Sequence, residues 1–211
     1  MNAAIAQALR DAALRGPRAA AGTTGRTDAD AGVDELARAA VAGDIDALGR
    51  LYDQLVGPVY RYVALRVGRR EDAEDLTQLV FERIVASLPR YRHNGRPFEA
   101  WAFRIARNAV IDHRRRNRAH EPLDPANEPI HADGVEALTV RGEEIRELRQ
   151  AIAGLTADQQ EALALRYGAG LSAEEAALVM GRRAGTIRGL TFRAIGALRR
   201  QLGGRGLEIG R

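Results

Sequence analysis

Arginine and asparagine side chains crowd one stretch of the chain, "FRIARNAVIDHRRRNR" at positions 103–118. If this stretch is a helix, one polar face carries Arg104, Arg107, Asn108 and Arg115. Guanidinium groups bind phosphate oxygens in pairs, and an asparagine amide can hydrogen-bond the edge of a base. The arginines at its far end, which also suit phosphates, are Arg114, Arg115, Arg116 and Arg118. The stretch therefore predicts contacts with nucleic acid.

Two aromatic residues lie next to these polar groups. Tyr91 sits in the turn "RYRHNGR" that precedes the helix, and Trp101 lies in its first turns. Aromatic rings stack on unpaired bases, so both residues are candidates for holding single-stranded DNA. A place in the hydrophobic core is the alternative for Trp101.

A second basic region closes the chain, "LSAEEAALVMGRRAGTIRGLTFRAIGALRRQL" at positions 171–202. Ser172 with Glu175 three residues later forms a capping box that starts a helix, and Gly181 permits a sharp turn into a second helix. We expect that second helix to bury Ile187, Leu190, Ala194 and Leu198. Seven arginines and no acid lie between positions 176 and 207. A helix-turn-helix bound to DNA fits this pattern, and a solvated basic face is the alternative.

Glycine is unusual inside a helix, and the second helix of this region contains Gly185 and Gly189 on one face. Each costs up to about 1 kcal/mol relative to alanine. They either let the helix approach the DNA backbone closely or are tolerated without a role.

Acidic residues cluster in a third segment, "EDAEDLTQLVF" at positions 71–81. Four acids in five residues offset the dipole of the helix that follows, which is one sufficient reason for them. The second interpretation is a docking face for a basic partner, formed by Asp72, Glu74, Asp75 and Gln78.

Composition excludes several other functions for the 211 residues. The net charge is +4 and the pI about 10.1, and the basic side chains are all arginine, which a GC-rich genome would also produce. The chain has no cysteine, its four histidines lack helical ligand spacing, and no nucleotide-binding loop is present. We therefore expect no catalytic residue, metal or cofactor, and no enzymatic activity. No signal peptide or membrane span is evident, which predicts a cytoplasmic protein.

Helices must position these side chains, because the apolar residues follow a helical period and no segment shows the sustained alternation of a strand. We predict an all-α fold of two small helical domains joined by a flexible linker. The predicted divisions are a flexible extension at 1–32, a helical domain at 33–118, a proline-rich linker at 119–134, a helical domain at 135–203 and a tail at 204–211. Within the second domain, helices are expected at about 135–153, 157–167, 172–180 and 184–202.

The three motifs occur in the order acidic helix, "PFEAWAFRIARNAVIDHRRR", then the C-terminal helix-turn-helix. In this order they resemble the extracytoplasmic-function (ECF) sigma factors, the small two-domain members of the bacterial sigma-70 family. The resemblance extends from about Val33 to Leu202. It implies a chain that binds core RNA polymerase and directs it to promoters, with no catalytic site of its own.

The resemblance also implies roles for particular residues. The domain similar to region 2 would bind the β′ coiled coil of polymerase through the acidic face. It would open the promoter −10 element with Tyr91, Arg92, His93, Asn94, Trp101, Arg104, Arg107, Asn108, Arg114 and Arg115. The domain similar to region 4 would contact the polymerase β flap and read the −35 element. The positions that match its DNA-reading residues are Arg182, Arg183, Thr186, Arg188, Gly189, Phe192 and Arg193.

The chain departs from the family pattern at two places. The family often has serine where this chain has Gly189, and a small apolar residue followed by serine or proline where it has Arg182 and Arg183. The −35 sequence preference is therefore not carried over. The extension at 1–32 is outside the family core, either an added regulatory segment or the product of a start codon placed too early.

Other hypotheses stay open at this point. A stand-alone helix-turn-helix regulator would bind duplex DNA without polymerase, but it would leave the acidic helix without a task. An inactive sigma paralogue that sequesters a partner is a third hypothesis. The resemblance also leaves open whether an anti-sigma protein binds the chain.

Overall fold

The structure is a computed structural model that describes residues 32–67, 69–118, 147–148 and 150–202. The predicted linker at 119–134, the tail at 204–211, nearly all of the N-terminal extension and the first part of the helix predicted from 135 lie outside the described residues. Residues 32–118 are called the N-terminal half below, and residues 147–202 the C-terminal half.

Four helices form the N-terminal half: α1 (Val33–Val41), α2 (Ile45–Val67), α3 (Arg70–Ser87) and α4 (Phe98–Arg118), with a 3₁₀ turn at Leu88–Arg90. Gly43 separates α1 from α2 with a φ of 101°, a conformation that favours glycine. The Asp44 side chain accepts a hydrogen bond of 3.0 Å from the Ala47 backbone N–H and so caps α2. Gly43 and Asp44 thus separate the two helices and start the second one.

The C-terminal half begins with helical residues at 147–148 and 150–153. It continues with α5 (Ala157–Leu163), a π-helical turn (Ala164–Gly168), α6 (Ala173–Met180) and α7 (Ala184–Leu202). The predicted capping box is confirmed, because Ser172 accepts from the Glu175 N–H and Glu175 accepts from the Ser172 N–H. No strand occurs among the described residues, in agreement with the predicted all-α fold.

The buried faces follow the apolar spacing of the sequence at most positions. The four predicted core residues of α7 are all buried. Ile45 is the exception, because its spacing from Leu48 and Leu55 matches the apolar stripe of α2, yet it is 64% exposed. It is the first residue of α2.

The two halves pack against each other. One hydrophobic cluster runs from Leu36 in the N-terminal half to Leu190 in the C-terminal half. Helix α2 contacts the π-helical turn, and α4 contacts α6. Two domains were predicted from the sequence, but this shared core was not. It brings the helix that carries the predicted −10 residues against the first helix of the helix-turn-helix.

None of the helices in the described part of the chain is both long enough and apolar enough to cross a lipid bilayer.

Candidate functional sites

The acidic face lies on the first turns of α3. Glu74 pairs with Arg70 one turn earlier, at 2.8 Å between Oε1 and Nε. Asp72 is half-buried and lies 3.6 Å from Nε2 of His113 in α4. Asp75 and Gln78 are exposed. The four predicted docking residues are therefore together on one helix, and Asp72 links this helix to α4 through His113.

The turn between α3 and α4 presents polar groups above an aromatic cluster. Arg92 donates hydrogen bonds of 3.1 Å to the carbonyls of Pro89 and Tyr91, while His93 and Asn94 are exposed. The ring of Tyr91 lies 5.0 Å from Trp101 and 5.1 Å from Phe98, between centroids. Burial raises the pKa of the Tyr91 hydroxyl, which stays neutral.

This cluster bears on the predicted stacking. Tyr91 is 8% exposed, and Trp101 is half-buried against the core. A base can reach the Tyr91 ring only if that ring leaves its neighbours or the turn opens. The role of both aromatics in holding a base stays a prediction.

The polar face of α4 is partly occupied by the C-terminal half. Arg104 Nη2 donates a hydrogen bond of 2.9 Å to the Leu178 carbonyl in α6, and Arg107 Nε lies 3.6 Å from Oε1 of Glu161 in α5. Asn108 and Arg115 are exposed. Arg104 and Arg107 are therefore engaged by the C-terminal half, while Asn108 and Arg115 present their side chains to solvent.

The helix-turn-helix has the geometry that its sequence predicts. Gly181 adopts φ 64° and ψ 38° between α6 and α7, the left-handed conformation that ends many helices at glycine. Arg182 pairs with Asp158 at 3.1 Å, and Arg188 pairs with Glu174 on α6. Phe192 is 80% exposed on the outer face of α7.

The other predicted −35 residues lie on α7 or, for Arg183, directly before it. Arg183, Thr186 and Arg193 are exposed. Gly189 is half-exposed, and a Cβ built there would lie 3.3 Å from Nη1 of Arg193. The described geometry gives Gly189 no contact that only glycine allows, because the guanidinium is the mobile end of a flexible side chain.

Sequence reasoning missed a buried polar cluster between the halves. Tyr62 donates a hydrogen bond of 2.7 Å to Oε1 of Glu161, and Arg66 lies 3.2 Å from its Oε2. Burial, with the charge of Glu161 next in size, raises the pKa of Tyr62 well above its ordinary value, so the hydroxyl stays a donor. One signal was available, since Arg66 falls on the apolar stripe of α2 with Val59 and Tyr62.

Among the described residues, no group of three His, Cys, Asp or Glu side chains lies close enough together to bind a metal ion.

Two segments of the sequence match known protein families. Residues 51–120 match sigma-70 region 2, and residues 145–198 match sigma-70 region 4. The ECF RNA polymerase sigma factor SigD of Mycobacterium tuberculosis is 35% identical over 178 residues, which cover 81% of this chain and 84% of the relative. The chain belongs to the ECF sigma factors of the sigma-70 family. The predicted resemblance is confirmed, and a stand-alone regulator is not favoured, because that class does not account for region 2.

A further relative of this sigma factor is BldN of Streptomyces coelicolor, at 40% identity over 172 residues. The match covers 80% of this chain and 65% of BldN, so this sigma factor spans about two thirds of that relative. Members of the family act in transcription initiation and are not enzymes, which is the ground for assigning no catalytic residue.

Two solved structures share the fold. CnrH, in complex with the cytosolic domain of CnrY, superposes with a TM-score of 0.63 at 23% identity, over 81% of this chain and 97% of that one. The sigma factor RpoE of Bartonella quintana, in complex with the anti-sigma factor NepR, gives 0.62 at 24% identity, over 74% and 96%. At this identity the likeness shows the fold alone.

Proposed function

We propose that this sigma factor binds core RNA polymerase through the acidic face of α3, opens the −10 element with the turn and helix around α4, and reads the −35 element with α7. The observation that carries the proposal is the combination of the three surfaces in one chain that belongs to the ECF family. Each surface has a charge suited to its target, acidic for a basic protein surface and basic for DNA.

At the −10 element, the task of the N-terminal half is to capture bases from an opened duplex. Extrusion of a base costs a few kcal/mol of stacking and pairing, and aromatic stacking with hydrogen bonds offsets this cost. Tyr91 and Trp101 would supply rings, and Asn94 and Asn108 would supply amides. The arginines of α4 would hold phosphates, and each such contact releases counterions.

At the −35 element, the exposed face of α7 would enter the major groove. The capping box and Gly181 fix the angle between α6 and α7, so that the exposed arginines point outward together. The guanidinium of Arg188 lies beside Glu174, and both side chains are 63% exposed. This planar donor suits bidentate contact with guanine when it exchanges the surface ion pair for the base.

The partners proposed are the polymerase β′ coiled coil for region 2, the β flap for region 4, and promoter DNA for both. An anti-sigma protein is a further proposed partner, supported by the complex of the structurally similar RpoE with the anti-sigma factor NepR. Because its proposed partners are DNA and polymerase, we expect the protein to act at the nucleoid.

Run-off transcription with purified core polymerase on a pool of genomic promoter fragments tests the proposal. We expect specific transcripts only when this sigma factor is added. Sequencing of their start sites would give the promoter elements. Transcripts that are identical with and without the protein would contradict the proposed function.

A charge reversal tests the docking face within the same assay. Asp75→Lys is expected to weaken binding to core polymerase at least about tenfold, because it puts a like charge opposite a basic surface. Asp53→Lys makes the same charge change on an exposed part of α2 and is the matched control. Equal core binding by the two variants would remove the acidic face from the proposal.

A further inference from the structure

The start of α4 is capped by a side chain from another helix. Asp34 of α1 accepts a hydrogen bond of 2.7 Å on Oδ1 from the backbone N–H of Phe98, the first residue of α4 and 64 positions away. The first N–H groups of a helix have no partner within the helix, and a Ser, Thr, Asp or Asn directly before it often supplies one. The residue before α4 is Pro97, which has no side-chain acceptor. Asp34 therefore supplies the cap that the local sequence lacks.

Helix α1 contacts both elements that flank the turn with Arg92, His93 and Asn94. It packs on the 3₁₀ turn Leu88–Arg90 before them and on α4 after them. The carboxylate of Asp34 also lies at the positive end of the α4 dipole, which strengthens the hydrogen bond. The contact thus fixes where α4 begins relative to the start of the turn.

The capped residue belongs to the aromatic cluster below this turn. Phe98 is fully buried, and its ring lies 5.1 Å from Tyr91 and 5.0 Å from Trp101, between centroids. The Tyr91 hydroxyl is buried and has no hydrogen-bond partner within the described part of the chain. Ring packing rather than the hydroxyl therefore holds the Tyr91 side chain, so a displaced Phe98 would move both rings that are proposed to stack on bases.

We propose that Asp34 is a positioning residue for promoter opening, which sets α4 and the turn before it in the arrangement that captures bases of the −10 element. This inference rests on the proposed function, because it assigns a further residue to the same DNA surface. Asp34 acts through Phe98, and through that ring on Tyr91 and Trp101, without touching DNA.

The charge of Asp34 also reaches the Tyr91 hydroxyl. Burial raises the pKa of that hydroxyl, and the charges of Asp34 and Glu99 raise it further. The Asp34 carboxylate therefore lies close enough to influence Tyr91 as well as to bind the Phe98 N–H. One side chain of α1 thus acts on the residue that begins the turn and on the residue that begins the helix.

A second cap of the same chemistry separates this role from a general contribution to stability. Asp44 accepts a hydrogen bond of 3.0 Å from the Ala47 N–H and caps α2. Asp34→Ala and Asp44→Ala each remove one capping carboxylate, and each should lower the melting temperature by about 2–4 °C. Only Asp34→Ala removes a contact to α4, so Asp44→Ala is the matched control.

Fluorescence of the full chain measures the aromatic cluster directly, because Trp101 is the only tryptophan. Its ring is half-buried against the core. Asp34→Ala is expected to shift its emission to longer wavelength and to increase its quenching by acrylamide, since a loosened Phe98 admits solvent to the ring. Asp44→Ala should leave both readings as in the wild type.

Permanganate oxidation of unpaired thymines measures opening, on a promoter obtained from the run-off experiment and with core polymerase present. Asp34→Ala should slow opening about tenfold, which is equivalent to the loss of one contact between a ring and a base, while binding to core polymerase stays unchanged. Asp34→Asn keeps an oxygen acceptor for the Phe98 N–H and should restore most of the opening rate. Asp44→Ala should open the promoter as fast as the wild type.

All variants are compared at a temperature at which circular dichroism shows them folded. If Asp34→Ala does not fold, Asp34→Glu carries the measurement, because it keeps the charge but lengthens the side chain by one methylene and should change both readings in the same directions. Opening at the rate of Asp44→Ala would overturn the role of Asp34 and leave the proposed function standing. A wild-type protein that opens no promoter would reject the proposed function, and the role of Asp34 in opening with it.

Discussion

At the scale of single residues, Gly168 decides how closely the halves meet. A Cβ built on Gly168 would lie 2.9 Å from Leu65 Cδ1 and 3.3 Å from both the Arg61 carbonyl oxygen and Tyr62 Cα. Leu65 is 44% exposed, so its side chain can rotate away. The backbone of α2 cannot, and a methyl group at position 168 must push the π-helical turn away from it.

Gly168→Ala is therefore expected to lower the free energy of unfolding by about 1–2 kcal/mol, the cost of overpacking a tight contact. Gly49→Ala is the matched substitution, because Gly49 is exposed in the second turn of α2 with nothing within 4 Å of its Cβ position. It should raise the free energy of unfolding by up to about 1 kcal/mol through helix propensity. Urea denaturation measures both, and a Gly168→Ala variant as stable as the wild type would contradict the close approach.

At the scale of elements, the geometry of the helix-turn-helix depends on both ends of α6, its first helix. The capping box satisfies backbone N–H groups at the start of α6. At its end, the left-handed Gly181 lets the Arg182 N–H bond the Ala177 carbonyl at 3.0 Å. The angle between α6 and α7 is thus set by backbone hydrogen bonds at one glycine.

Gly181→Ala is expected to cost about 1–2 kcal/mol of stability, because a Cβ disfavours positive φ. Asparagine visits this conformation more readily than alanine, so Gly181→Asn should cost less. Thermal unfolding of the two variants measures the order. If alanine proved no worse than asparagine, the backbone at position 181 would not need the left-handed conformation.

At the scale of the whole molecule, three carboxylates from three helices influence one another across the boundary between the halves. Burial raises the pKa of Glu99 in α4 above its ordinary value of 4.5, and the charges of Asp34 in α1 and Glu175 in α6 raise it further. A backbone hydrogen bond of Glu99 opposes this shift. The folded chain therefore binds the Glu99 proton more tightly than the unfolded chain does.

Glu99→Gln should raise the melting temperature at pH 7. The penalty of ionised Glu99 is fully present above its folded pKa and disappears below its ordinary value, where the side chain is neutral in both states. The advantage of glutamine should therefore shrink as the pH falls to about 4. Melting curves of both proteins at the two pH values give the difference. An advantage that grew toward acid would contradict the raised pKa.

Much of the local structure was predictable from sequence, because local signals produce it. The capping box at Ser172, the turn at Gly181 and the buried stripe of α7 each depend on residues within a few positions of one another. The same local patterns, in their order along the chain, indicated the sigma-70 family. The exposure of Ile45 does not follow from the same periodicity, because apolar spacing does not show which end of a helix stays in contact with solvent.

The sequence alone thus determined the helices, their caps and the charge of each surface, since these follow from short-range periodicity and side-chain chemistry. Only the tertiary structure decided that Glu161 meets Tyr62, Arg66 and Arg107, and that Arg104 meets Leu178. Those contacts join residues up to 99 positions apart. No local pattern encodes such pairs, because they depend on how two complete helical units pack.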